Sequence, residues 1–117
     1  MSQKIDVRAL PNFQRDVKQL LKKYRHIRDD LDNFVETLRD GETPGDQVPR
    51  VGYAVYKARV TNSDLQRGKQ GGYRVIYYVK LPTRIMLITV YAKTEQSDID
   101  PEEIRRIIEE EGDLDKE

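Results

Sequence analysis

Between Tyr53 and Lys93, apolar residues recur at every second position in three short runs. A strand turns successive side chains to opposite faces. In the first run Ala54, Tyr56, Ala58 and Val60 share a face, with Lys57 and Arg59 opposite. In the second, Tyr73, Val75, Tyr77 and Val79 share a face, while Arg74 lies with Ile76, Tyr78 and Lys80. In the third, Met86, Ile88, Val90 and Ala92 align, with Tyr91 and Lys93 opposite. Paired as a sheet, the three runs put Lys57, Arg59, Arg74, Tyr91 and Lys93 around one surface, a surface suited to a polyanion.

The flanking segments follow a helical period. Phe13, Val17, Leu20, Leu21 and Tyr24 form an amphipathic stripe, and Asn12 is the expected N-cap. Ile27, Leu31, Phe34, Val35 and Leu38 form a second stripe, with Gly41 where a C-cap is wanted and a break expected at 26–29. Ile5 to Leu10 alternates weakly and reads as an edge strand. Residues 41–52 read as loop. Residues 61–72 are too long for a tight turn and read as a projecting loop, whereas Leu81-Pro82-Thr83 is a close connection. Asp100-Pro101-Glu102-Glu103 has the form of a capping box before a short helix striped by Ile104, Ile107 and Ile108, which Gly112 ends.

The predicted order is strand, helix, helix, strand, strand, strand, helix. That is an α+β fold: a small antiparallel or mixed sheet with the helical hairpin on its apolar face. The C-terminal helix is expected over part of the other face, near Ile76, Ile85 and Leu87. A chain of 117 residues suits a single domain, 1–117, with its last five residues frayed.

Charge sharpens this picture. The formal net charge is zero, but residues 50–93 hold nine Lys/Arg against the single acid Asp64, and residues 94–117 hold eleven acids against three Lys/Arg. A basic central block is the electrostatic footprint of a nucleic-acid site. A solvated basic surface balanced by an acidic tail is the plain alternative. Absence of cysteine excludes disulfides, thiolate catalysis and Cys-type zinc sites, and fits a reducing cytoplasm. No apolar run has the length of a membrane span or the form of a signal peptide.

The strings Lys57-Ala-Arg59-Val-Thr-Asn-Ser-Asp, Gly68-Lys69-Gln-Gly-Gly-Tyr73-Arg74-Val-Ile-Tyr-Tyr and Tyr91-Ala-Lys93-Thr-Glu resemble the RelE/ParE superfamily of toxins. Within it the chain is most similar to the HigB/RelE branch, and the helix Phe13–Tyr24 shares that likeness. The resemblance spans about residues 7–108. It implies a small cytoplasmic protein that cleaves messenger RNA, usually on the translating ribosome. It also implies a co-encoded antitoxin, a small helix-turn-helix protein, as the neutralising partner. In such toxins the end of the last strand carries catalytic side chains, with residue types that vary.

RNA supplies its own nucleophile, the 2′-hydroxyl, so a nuclease needs alignment, charge stabilisation and proton transfer. Arg59 and Arg74 suit the phosphate, because a planar guanidinium binds two oxygens at once. Lys57 adds charge and RNA contact, and Arg67 and Lys69 in the projecting loop add further RNA contacts. Tyr91 and Lys93 are candidates for proton transfer, helped by neighbouring cations that lower their pKa, with Glu95 less direct. His26 is expected at a helix boundary, and one histidine excludes a two-histidine ribonuclease. Asp98 and Asp100 are expected to cap the last helix. Gly68-Lys69-Gln70 is not a phosphate-binding P-loop, and no metal motif is present, so neither metal nor cofactor is expected. Two other functions stay open: a topoisomerase poison acting by protein contact, as in the ParE branch, and a non-enzymatic module that docks an acidic partner.

Overall fold

The computed structural model describes residues 4–65 and 71–112. Its elements run β1 (Asp6–Ala9), α1 (Pro11–Leu21), α2 (Ile27–Arg39), β2 (Asp46–Gln47), β3 (Val55–Val60), β4 (Tyr73–Leu81), β5 (Arg84–Ala92) and α3 (Pro101–Glu111). The five strands form one mixed sheet in the order β1-β5-β4-β3-β2, with β1 parallel to β5 and the other neighbours antiparallel. The α+β expectation therefore holds. The short edge strand β2 lies in the stretch read as loop; two residues are too few for an alternating pattern to register.

The sheet separates two apolar layers. On one side Phe13, Val17 and Leu20 of α1 and Ile27, Leu31, Phe34 and Leu38 of α2 pack on Ala58, Val60, Tyr73, Val75, Tyr77, Ile85, Leu87, Val90 and Ala92. On the other, Ile104, Ile107 and Ile108 of α3 pack on Val55, Ile76, Met86 and Ile88. Each of these isoleucines is at most 5% exposed, so each burial contributes about 1.5–3 kcal/mol.

The β4–β5 register shifts twice, between Val79 and Leu81 near the hairpin turn and between Ile76 and Tyr77, and the second overturns the expected alternation of β5. Ile76 pairs with Thr89 but Tyr77 pairs with Leu87, so β5 carries an extra residue there, a β-bulge. Before it, Met86 and Ile88 face α3 while Ile85 and Leu87 face the hairpin. After it, Val90 and Ala92 face the hairpin. Met86 and Ile88 thus do not share a face with Val90 and Ala92, and Ile85 and Leu87 do not lie under α3.

Helix ends also differ from expectation. Leu10 is the N-cap of α1 and Pro11 its first residue. Asn12 lies inside, its N–H donating to Glu111 Oε1 (2.9 Å) and its side-chain amide to Ile88 O (3.1 Å) and Asp16 Oδ2 (3.2 Å). It ties α1 to both β5 and α3. The break between α1 and α2 falls at 22–26, with His26 as N-cap of α2 and Tyr24 buried in the turn. Asp100 caps α3 by accepting from Glu102 N–H at 3.0 Å, whereas the Glu103 carboxylate pairs with Arg106 rather than closing a capping box.

Among the described residues no helix is long and apolar enough to cross a membrane.

Candidate active site

The antiparallel register sets the cations in a row. Arg59 of β3 stands opposite Arg74 of β4, and Arg74 stands opposite Tyr91 of β5. Lys57 precedes Arg59 by two residues and shares its face. Lys93 follows Tyr91 by two, just beyond the end of β5, where its N–H donates to Gly72 O at 2.9 Å. All five therefore lie toward one end of the face that α3 only partly covers.

Two glycines shape that end. Gly71 and Gly72 have φ of +107° and +56°, which L-residues rarely adopt. A Cβ on Gly71 would stand 3.0 Å from Lys93 Cβ, and one on Gly72 would stand 2.5 Å from Val60 O. The glycine pair thus lets the start of β4 lie against both β3 and Lys93. The Arg74 guanidinium folds back so that Nη1 donates to Gly71 O and, at 3.3 Å, to Tyr73 O. Its rotamer is held by backbone that the same glycines place.

The segment after β5 closes the other side. Glu95 and Gln96 N–H groups both donate to Ala92 O, turning the chain back. Lys93 Nζ donates to Ser97 O at 2.7 Å, and Lys57 Nζ lies 3.0 Å from Asp98 Oδ1. Ile99 N–H donates to the same Oδ1 at 2.8 Å. The Lys57 hydrogen bond, together with that from Ile99, lowers the Asp98 pKa. Asp98 is therefore not a helix cap; it is a carboxylate set among the cations. Arg59 is exposed and makes no ion pair among the described residues.

The side chains named from the sequence are brought together unevenly. Tyr91 is only 5% exposed, and its hydroxyl is buried without a hydrogen-bond partner among the described residues. Burial first, and then the Asp98 carboxylate, push its pKa above the ordinary tyrosine value; Arg74 opposes them and does not win. The expected lowering of this phenol toward neutrality is therefore reversed, because desolvation outweighs one neighbouring cation. Glu95 turns away to the hairpin, where it pairs with Lys23 (3.0 Å) and accepts from Tyr24 Oη (3.2 Å). His26 sits at the helix boundary, its Nδ1 2.7 Å from Asp64 Oδ1. Ser63 N–H and Oγ donate to Asp30 Oδ2 at 3.0 and 3.1 Å, so the root of the 61–72 loop is fastened to α2. Arg67 and Lys69 lie outside the described residues. The sequence pattern assigns Asp98 to the helix cap, although its position five residues beyond Lys93, in the segment between β5 and α3, was a usable signal of its place near the basic row.

Among the described residues no cluster of His, Cys, Asp or Glu could hold a metal ion.

No curated protein shows significant similarity to the chain. A family model described as the RelE toxin of the RelE / RelB toxin-antitoxin system matches residues 13–114. The three helices and five-stranded mixed sheet are consistent with a RelE-like fold. A match across most of the chain, joined to that architecture, places the protein in the RelE family as the toxin of a toxin–antitoxin system, with a cognate antitoxin as its implied partner.

Proposed function

We propose that this toxin is a metal-independent endoribonuclease, an mRNA interferase of HigB/RelE type. It would act in the cytoplasm on messenger RNA held by the translating ribosome, through the one catalytic domain. The observation that carries this reading is the Arg59–Arg74–Tyr91 row with Lys57 and Lys93 beside it, on a rigid sheet end that α3 leaves open.

In this reading the 2′-oxygen attacks phosphorus, the 5′-oxygen leaves, and a 2′,3′-cyclic phosphate remains on the upstream fragment. Charge accumulates on the phosphoryl oxygens in the transition state. Arg74, pre-set by its bonds to Gly71 and Tyr73 carbonyls, and the exposed Arg59 meet that charge. Fixed cations cost little reorganisation as the reaction proceeds. Lys57 adds charge and holds the RNA backbone, and Lys93 at the strand end donates. Arg67 and Lys69 extend the contact along the RNA. Tyr91, the cross-strand neighbour of Arg74, moves no proton in this reading, since its hydroxyl is enclosed. The antitoxin would neutralise the protein by covering this basic face.

Expression of the wild type and of Arg74→Ala in growing cells, with transcript ends mapped, tests the reading. Wild type should generate new 5′ ends within translated regions, and Arg74→Ala should generate about 10²–10³ fewer per unit time. Growth arrest by the wild type with transcripts intact would refute it.

A further inference from the structure

The reaction needs a group that takes the 2′-hydroxyl proton. Lysine ammonium and arginine guanidinium groups carry donors only. Tyr91 is enclosed, Glu95 is turned to Lys23 and Tyr24, His26 is paired with Asp64 at the hairpin, and Asp100 is engaged on the Glu102 N–H. Among the described residues two exposed ionisable acceptors stand at the rim of the cationic row: Asp46 on the edge strand β2, in register with Lys57, and Asp98, which hydrogen bonds from Lys57 and Ile99 hold in place.

We propose that Asp98 is the general base of this site, accepting the 2′-hydroxyl proton on its Oδ2. This rests on the ribonuclease reading above. Its side chain is 64% exposed, so RNA can reach it. Both of its contacts, from Lys57 Nζ at 3.0 Å and from Ile99 N–H at 2.8 Å, fall on Oδ1. They fix the plane of the carboxylate and leave Oδ2 out of both bonds, on a group close enough to the Tyr91 hydroxyl to raise its pKa. The same ion pair engages the Lys57 ammonium, which lies 3.0 Å from Oδ1. Two backbone carbonyls further secure the segment: Gln96 Nε2 donates to Asp98 O at 2.9 Å, and Lys93 Nζ donates to Ser97 O. The base is thus positioned by Lys57 directly and by Lys93 through the Ser97 carbonyl.

The step balances without a co-reactant. The O2′–H bond breaks and its proton passes to Asp98 as O2′ bonds to phosphorus. The P–O5′ bond breaks, and O5′ takes a proton from an ammonium of the cluster. Solvent then takes the proton from Asp98 and returns one to the amine.

The test uses the full chain with programmed ribosomes under single-turnover conditions. It compares wild type, Asp98→Asn and Asp98→Glu on a normal message and on one with a 5′-thio leaving group at the cut site. Asp98→Asn should slow cleavage by about 10²–10⁴-fold. Affinity for the programmed ribosome should hold or rise, since a negative charge is removed beside the RNA, and the unfolding midpoint should fall only by the little that one exposed ion pair contributes. The thio substitution should not rescue this variant, because a better leaving group does not replace a base. Asp98→Glu should recover part of the rate. Cleavage by Asp98→Asn within threefold of wild type, rescue by the thio substrate, or a loss explained by weaker binding would overturn the assignment while leaving the ribonuclease reading intact. Absence of cleavage by the wild type would overturn both.

Discussion

Gly72→Ala perturbs the junction on which the basic row depends. The native φ of +56° would be retained by alanine only at a cost of about 1–2 kcal/mol, the penalty for an L-residue in the left-handed region. The new Cβ would also stand 2.5 Å from Val60 O and 3.5 Å from Asn62 N, backbone atoms at the end of β3 and just beyond it. Backbone cannot swing aside as a flexible side chain can. Relief requires the Val60–Tyr73 pair to part, with a ladder hydrogen bond lost at about 0.5–1.5 kcal/mol. Together these terms give about 2–3 kcal/mol, which for a domain of this size lowers Tm by roughly 10 °C. Gly41→Ala is the matched control: φ there is +97°, but no atom lies within 4 Å of the added Cβ. It should lose only the conformational share. Urea unfolding of both variants measures the difference. Equal losses would refute the claim that close approach of β3, and not backbone conformation alone, demands glycine at 72.

Two further outcomes are expected. Tyr91→Phe should keep cleavage within about threefold of wild type and unfold at equal or higher urea, because it removes a buried hydroxyl that has no partner; a hundredfold loss of activity would restore the phenol to the chemistry. Asp64, Asp98 and Glu103 have folded-state pKa values below their ordinary ones, through hydrogen bonds from His26, Lys57 and Arg106 respectively. Their contribution is present above the ordinary carboxylate range and is lost as pH falls through the lowered values. Acid titration of unfolding should therefore show stability dropping below about pH 4, and Asp64→Asn should shrink that drop; an unchanged acid limb in the variant would exclude Asp64 as a contributor.

The helices were the most legible part of the sequence, because an apolar stripe of period 3.6 is a local signal. Phe13, Val17 and Leu20, then Ile27, Leu31, Phe34 and Leu38, are buried as their spacing required. The face of each strand was legible for β3 and β4 for the same reason. What failed depended on distant partners. Asn12 had the chemistry of a cap, but its amide found Ile88 O and its N–H found Glu111, which no neighbouring residue announces. Tyr91 looked available until its burial was fixed by the packing of the whole sheet. Asp98 and Asp100 have the same side chain two residues apart, and only the course of the segment after Ala92 decides that one meets Lys57 and the other caps α3.

The additional residue at Ile88–Thr89 puts the two halves of β5 out of phase with each other. The first half delivers Met86 and Ile88 to the isoleucines of α3, and the second half delivers Tyr91 and Lys93 to that same side. With uninterrupted alternation, a strand committed to the α3 core would have sent Tyr91 and Lys93 into the helical hairpin and turned Val90 and Ala92 outward. A single inserted amino acid is thus what allows one strand to anchor a helix and also to bring Lys93 to the basic row beside it. Loss of one residue between 87 and 90 would dismantle the basic row while sparing every cation in the chain.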